Sequence, residues 1–419
     1  MLIQFLVSNY ASIKDEQILS MEPSNDNEHE ENVVNKGQHQ ALNLAAIYGA
    51  NASGKSSLFH AITMALNILR HSSSMQVNEP IPVIPFKFDA DSLSKPSKFE
   101  FTFVASDGVK YIYGYSADQI RVHEEYLYFY KSAKPSKIFD RHLDEYQFAR
   151  SVKRYLEPLV RMNTSNKLFL ATATSWNADC TTAPYNWLAS GIDSYTNDEN
   201  IHNYSLNMYK EKSAENICFT KKLMKQADIN ISDIVVESKK IPMPKGIPVI
   251  PSILINGQLV QPQEQYEITI SAGHTVTDDQ NNEKTYMLPL GEESLGTQQL
   301  FFIAPLLRQT FEEGKVLVID EIDRSLHPFI VKYLVNLFRD KEVNKNGAQL
   351  IFTTHETTLL SLSIFRRDQI YFTEKNAASG ATDLYSLDDF SVRKTDNIQK
   401  GYLLGRYGAI PFLNSEELV

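Results

Sequence analysis

The sequence predicts an α/β fold on a mixed sheet, and three features predict it. Residues 42–48 are apolar enough for a buried strand, and they run through a glycine loop into residues 57–66, where apolar side chains recur at helical spacing. Residues 315–319 and 349–352 are short apolar runs, the first followed by Asp320 and Glu321, the second by Thr353, Thr354 and His355. Strands buried on both faces of a parallel sheet read this way. Residues 98–104 and 110–116 alternate around Asp107-Gly108, which reads as a hairpin and adds an antiparallel β-lobe.

The glycine loop is Gly49-Ala50-Asn51-Ala52-Ser53-Gly54-Lys55-Ser56. A strand before it and a helix after it are the context that a phosphate-binding loop requires. Gly49 and Gly54 let backbone N–H groups turn inward onto phosphate oxygens, and the helix N-terminus adds a dipole that favours anions. Lys55 is expected to reach the β- and γ-phosphates of ATP, and the Ser56 hydroxyl to bind Mg²⁺. Asn51, Ala52, Ser53 and Ser57 complete the expected nucleotide-binding set of this loop.

Asp320 and Glu321 stand where a Walker B strand would end. Asp320 is expected to hold Mg²⁺ through water, and Glu321 to polarise the attacking water. The plainer reading is a core strand with a solvated acidic end, and the upstream phosphate loop weighs against it. His355 ends the next apolar run and is expected to touch the γ-phosphate. A histidine at a strand end is more often structural, but the interval after Glu321 favours the catalytic role.

Just upstream of this strand lies Glu293-Ser294-Leu295-Gly296-Thr297-Gln298-Gln299-Leu300, followed by an apolar helical segment to Phe311. Ser294, Gly296 and Thr297 at a helix N-terminus can present backbone and dipole to a phosphate. Alone, this pattern is more often a simple helix cap. Between the two Walker elements it reads as a signature peptide acting in trans. ATP would then lie between two copies of the chain.

With these motifs in hand, the chain resembles the stand-alone ABC-type ATPases of the OLD-like and abortive-infection family, related to SMC and RecF heads. The resemblance includes residues 5–13, with Asn9 and Tyr10 on the adenine side, and Ile84-Pro85-Phe86-Lys87-Phe88. It also takes in Asp320-Glu321-Ile322-Asp323-Arg324-Ser325-Leu326-His327-Pro328, Thr353-Thr354-His355, Asp368 to Phe372, and the closing residues 401–411. It implies an ABC-type P-loop head with a lid insertion, ATP-dependent homodimers, and roles in anti-phage defence beside a separate effector. OLD nucleases carry a Toprim domain after the ATPase. The stretch after His355 holds no spaced Glu and Asp cluster for two metals, so no nuclease is expected in this chain. No glutamine stands at a clear Q-loop position; Pro85, Phe86 and Lys87 occupy roughly that place.

Three parts are expected: a first lobe over 1–130, a mostly helical lid over 131–285, and a second lobe over 286–419. The lid shows no sustained heptads and is interrupted by Pro158, Pro184 and Gly191. A helix is expected over 216–227, and strands over 252–255 and 266–270 with a turn at Asn256-Gly257. Tyr185, Tyr195, Tyr204 and Tyr209 are a candidate partner surface, although ordinary half-buried tyrosines are the plainer reading. Residues 24–37 read as a polar, mobile loop.

Composition points to a soluble cytoplasmic chain: 42% hydrophobic, 22% charged, two cysteines in no metal-type pair. No apolar run nears the roughly 18 residues that span a membrane, and no signal peptide is evident. The net charge of −10 argues against a surface coated for nucleic acid. Two local lysine runs, 131–137 and 239–245, are candidate basic grooves that read first as solvated loops. The leading functional expectation is an ATPase regulating a separate nuclease or toxin. The alternative is an SMC/RecF-like ATPase in DNA repair or maintenance. A transporter subunit fits the insertion and the aromatic start poorly.

Overall fold

The computed structural model describes residues 1–411 apart from 27, 133, 212, 242–252, 256–257, 261–264 and 278. By contact the chain groups into two compact units: residues 1–196, 314–321 and 335–419, and residues 197–313 with 322–334.

The first unit contains two large sheets and one two-stranded pair. A six-stranded sheet runs Ile192–Tyr195, Val316–Ile319, Gln349–Thr353, Leu44–Gly49, Ile370–Lys375, Thr382–Ser386. Its first five strands are parallel and only the last pairs antiparallel. Every residue of its three middle strands Val316–Ile319, Gln349–Thr353 and Leu44–Gly49 is buried, as their unbroken apolar runs require. The second sheet has seven antiparallel strands: Glu145–Phe148, Pro135–His142, Val122–Tyr130, Lys110–Ala117, Ser97–Val104, Leu2–Ser8, Gln17–Ser20. The expected hairpin is its third connection, with Gly108 at φ 76 in the turn.

Helix Lys55–Ser72 joins the two sheets in one core. Leu58, Phe59, Ile62, Leu66 and Leu69 repeat at helical spacing, are all buried, and share a cluster with Phe5, Phe99, Phe101 and Ile47. Gln349 locks the sheets together: its side-chain amide bonds the N–H (2.7 Å) and C=O (3.0 Å) of Leu2 and the C=O of Leu42 (2.8 Å). A buried polar side chain satisfied in this way fixes the two sheets in one register.

A second buried lock holds residues 163–175. The Glu125 carboxylate, fully buried, accepts from the Phe169 and Leu170 N–H groups at 2.6 and 2.8 Å and faces Arg141 at 3.5 Å. Arg141 donates to the carbonyls of Leu143 (2.8 Å), Ser165 (3.1 Å) and Lys167 (2.5 Å). These contacts explain why residues 131–196 group with the first unit, whereas the expected lid began at 131. The two partitions differ because strands Pro135–His142 and Glu145–Phe148 extend the β-lobe sheet.

Residues 24–37 correct the expectation of a mobile loop. Arg366 donates to the carbonyls of Ser24 (3.1 Å), Asp26 (2.5 Å) and Glu28 (2.8 Å), and Asp26 pairs with Arg367 at 3.0 Å. Val33–Lys36 then pairs with His39–Leu42. The polar composition is used for these local ties.

The second unit packs helix Leu295–Glu313 against Asp198–Glu211 and Ser213–Gln226. Tyr209 stacks on Phe301 with ring centroids 4.4 Å apart, and its hydroxyl donates to the Phe301 carbonyl at 2.9 Å. Tyr195 and Tyr209 are buried, so the four tyrosines do not form a common exposed surface. Strands Asp233–Ile241, Gln265–Thr277 and Glu283–Pro289 form an antiparallel sheet. Helix 216–227 and the returning strands therefore exist; the turn at Asn256-Gly257, and Lys245 of the second lysine run, lie outside the described residues. Among the described residues no helix is long and apolar enough to cross a membrane.

Candidate functional site

Strands Leu44–Gly49, Val316–Ile319 and Gln349–Thr353 are parallel neighbours, so their C-terminal ends share one edge of the sheet. Such an edge is where open α/β sheets bind ligands.

At the first of these ends the glycine loop turns through Ala52 (φ 63) and Gly54 (φ 110). A Cβ on Gly49 would collide with Thr373, and one on Gly54 with Thr382. Only glycine fits either position, Gly49 for space and Gly54 for both space and φ. Lys55 opens the helix, is 6% exposed, and its Nζ donates to the carbonyls of Gly49 (2.8 Å) and Ala50 (3.1 Å). An ammonium held over the loop is placed to meet an anion there. Ser53 Oγ lies 2.6 Å from Thr373 Oγ1. Ser12 donates to Ser57 at 2.8 Å and meets Thr382 Oγ1 at 2.8 Å, while Thr382 donates to the Ser53 carbonyl at 3.0 Å. Asn51, Ala52 and Ser56 remain exposed.

At the other two strand ends Asp320, Glu321 and His355 come together around Thr353. The Thr353 hydroxyl donates to Asp320 Oδ1 at 2.6 Å and accepts the Glu321 N–H at 2.7 Å. Glu321 has φ 54, a left-handed backbone that turns its side chain out of strand alternation. His355 Nε2 is 3.9 Å from Glu321 Oε1, with both side chains over a third exposed.

Asn9 and Tyr10 require a correction. Asn9 is 6% exposed; its Nδ2 donates to the carbonyls of Ser92 (2.9 Å) and Lys95 (2.8 Å), and its Oδ1 accepts the Phe86 N–H at 3.1 Å. Tyr10 is 2% exposed and meets Phe99 edge-on at 5.5 Å; burial pushes its phenol pKa up. Neither side chain is free to face a base. Their neighbours Ala11 and Ser12 are the half-exposed members of this turn.

The signature residues lie in the second unit. Ser294 precedes helix Leu295–Glu313, and its oxygen accepts the Thr297 N–H at 3.2 Å and meets Thr297 Oγ1 at 2.9 Å. Ser294 is therefore a helix cap, the plainer of the two sequence readings, whatever else it contacts. A Cβ on Gly296 would crowd the Ser325 carbonyl at 2.8 Å. Glu293 Oε1 lies 2.6 Å from His274 Nε2.

Sequence reasoning missed Thr353, Thr373, Thr382 and Ser12. Thr353 stood in a quoted motif, Thr-Thr-His, where only the histidine was given a role. Thr373 and Thr382 carry no local signal, because only the sheet brings them to the loop.

The donor set fits Mg²⁺. Ser56 hydroxyl and Asp320 carboxylate are hard oxygen ligands, and Mg²⁺ takes one or two such protein ligands beside phosphate oxygens and water. Among the described residues no group of three His, Cys, Asp or Glu side chains forms a self-contained metal site.

A glycine loop with a buried lysine, on the same sheet edge as an Asp-Glu pair and a histidine, defines a P-loop ATPase. The chain belongs to the family described as "AAA domain, putative AbiEii toxin, Type IV TA system", which matches residues 44–176 and 238–361, more than half of its length. A search of curated proteins found no match. Solved structures similar to it include the SMC head domain from Thermotoga maritima (12% identity, 92% of this chain and 98% of that one, TM-score 0.40). Another is the Smc head domain with a coiled coil and joint from Pyrococcus yayanosii (10%, 97% and 99%, TM-score 0.43). A third is the ATP complex of the recombination mediator RecF (15%, 92% and 97%, TM-score 0.35). These values are too low to transfer a property to this chain.

Proposed function

We propose that this chain hydrolyses ATP·Mg²⁺ in a homodimer, and that the dimer controls a separate effector, a nuclease or toxin, in cytoplasmic defence against phage. The observation that carries the proposal is the shared sheet edge, which gathers Lys55, Ser56, Asp320, Glu321, Thr353 and His355. Lys55 leaves the loop carbonyls for the β- and γ-phosphates, and Gly49, Asn51, Ala52, Ser53, Gly54 and Ser57 line the phosphates with backbone and hydroxyl donors. Ser56 and Asp320 would hold Mg²⁺, which would supply positive charge to neutralise the phosphates. Glu321 orients the attacking water, and His355 contacts the γ-phosphate. Ser294, Gly296 and Thr297 of a second copy close the site, since the phosphate loop already covers one side. The family description, "putative AbiEii toxin, Type IV TA system", supports a place beside a toxin.

The test is a pull-down of tagged Glu321→Gln protein from its native host, with and without ATP, read by mass spectrometry. Recovery of a stoichiometric nuclease or toxin supports the effector reading. Recovery of DNA, or of the homodimer alone, replaces it with an SMC/RecF-like role in DNA maintenance.

A further inference from the structure

The β-lobe carries a basic edge that no nucleotide chemistry uses. Strand Pro135–His142 pairs with Glu145–Phe148, and the pairing continues where the Ala149 N–H donates to the Ile138 carbonyl at 3.0 Å. Arg150 follows in the turn that leaves this strand pair, at the end of the sheet where Tyr130 pairs with Pro135. Lys131 and Lys134 lie in that turn. On the far side of Arg150 the chain enters the helical turns Lys153–Leu156 and Glu157–Met162, which add Lys153, Arg154 and Arg161.

Lys131, Lys134, Arg150, Lys153, Arg154 and Arg161 are all exposed. Lys153 meets Glu157 at 3.4 Å in a solvent-exposed pair, and Lys137 is neutralised by Asp140 at 2.9 Å. The other five have no carboxylate partner among the described residues. Tyr155, 67% exposed, stands between Arg154 and the next turn, with its ring free to stack. In a chain of net charge −10, such a concentration of unpaired cations is a local field of opposite sign.

We propose that this edge binds the phosphate backbone of nucleic acid, with Tyr155 stacking on an accessible base or sugar face. The lysine run 131–137 alone reads as a solvated loop; Arg150 and the helical turns after it add exposed cations to the chain that leaves the same end of the sheet. A phosphorylated membrane surface is disfavoured, because the helical turns Lys153–Leu156 and Glu157–Met162 are too short to lay an amphipathic helix into a headgroup layer. The proposal stands whichever protein the ATPase controls.

The experiment is fluorescence anisotropy of the full chain with a mixed-sequence DNA duplex and, separately, a single strand, across a salt series. Neutralising Arg150, Arg154 and Arg161 together (R150A, R154A, R161A) should flatten the slope of log K against log salt by about 2 to 3, and weaken binding at least ~10-fold near 0.1 M salt. The corresponding lysine variants (R150K, R154K, R161K) should retain most of the binding, and the basal ATP hydrolysis rate of both should match the parent. Tyr155→Ala should weaken the single strand more than the duplex. Absence of salt-dependent binding by the parent chain overturns the proposal. So does binding unchanged in the alanine variant, or binding to phosphatidylserine vesicles in preference to DNA.

Discussion

Thr353 bridges the Walker B pair: its hydroxyl donates to Asp320 Oδ1 at 2.6 Å and accepts the Glu321 N–H at 2.7 Å. One buried side chain thereby fixes both the Asp320 carboxylate, proposed to hold Mg²⁺, and the backbone of Glu321, proposed to orient water. Thr353→Val keeps the shape and removes both bonds, and since Asp320 and Glu321 are half-exposed each lost bond costs about 0.5–1.5 kcal/mol. The variant should need more Mg²⁺ for half-maximal ATP hydrolysis and turn over more slowly, while Thr353→Ser should restore both. A Mg²⁺ titration of hydrolysis checks this. Lower stability with an unchanged Mg²⁺ requirement would reduce Thr353 to a packing residue.

Glu321→Gln should bind ATP normally and hydrolyse it about 10²–10⁴-fold more slowly, the usual loss for a general base. The closed dimer should then accumulate, as light scattering with ATP would report. Turnover at the parent rate would remove Glu321 from the base role.

Lys55→Ala should abolish nucleotide-induced dimerisation, because the ammonium 2.8 Å from the Gly49 carbonyl is the cation placed for the phosphates. Sedimentation with and without ATP reads this directly. A variant that still dimerises on ATP would mean that the loop does not gate association.

Ser294→Arg should leave nucleotide binding intact but block dimerisation and turnover. Ser294 also caps its own helix, and losing that cap costs about 1 kcal/mol. Ser294→Ala is the control: it removes the cap without adding bulk, so a defect confined to the arginine variant belongs to the interface.

Glu125 and Arg141 should be costly to separate. Burial pushes the Glu125 carboxyl pKa up, and Arg141 with the Phe169 and Leu170 N–H groups opposes that shift. Either single alanine variant leaves a buried charge unpaired and should lose about 3–5 kcal/mol, with the double variant losing less than the sum. Denaturant midpoints measure all three. Additive losses would show that the two side chains act independently.

The sequence by itself determined the elements whose signal is local. The glycine loop needs space that only Gly49 and Gly54 leave, and at Gly54 a positive φ as well, so strand, loop and helix were legible at once. The buried strands ending at Asp320 and before His355 were legible because strands covered on both faces must be apolar throughout. Only the tertiary structure decided which polar residues meet. Thr353, Thr373 and Thr382 reach the site through sheet pairing across long stretches of chain, and for Thr373 and Thr382 nothing in their neighbours records it. Asn9 and Tyr10 looked available in the sequence, yet folding spends the Asn9 amide on loop carbonyls and buries the Tyr10 ring. Arg150 comes to the sheet end that carries Lys131 and Lys134 for the same reason: strand pairing, which a single strand does not carry, decides which chain ends lie together.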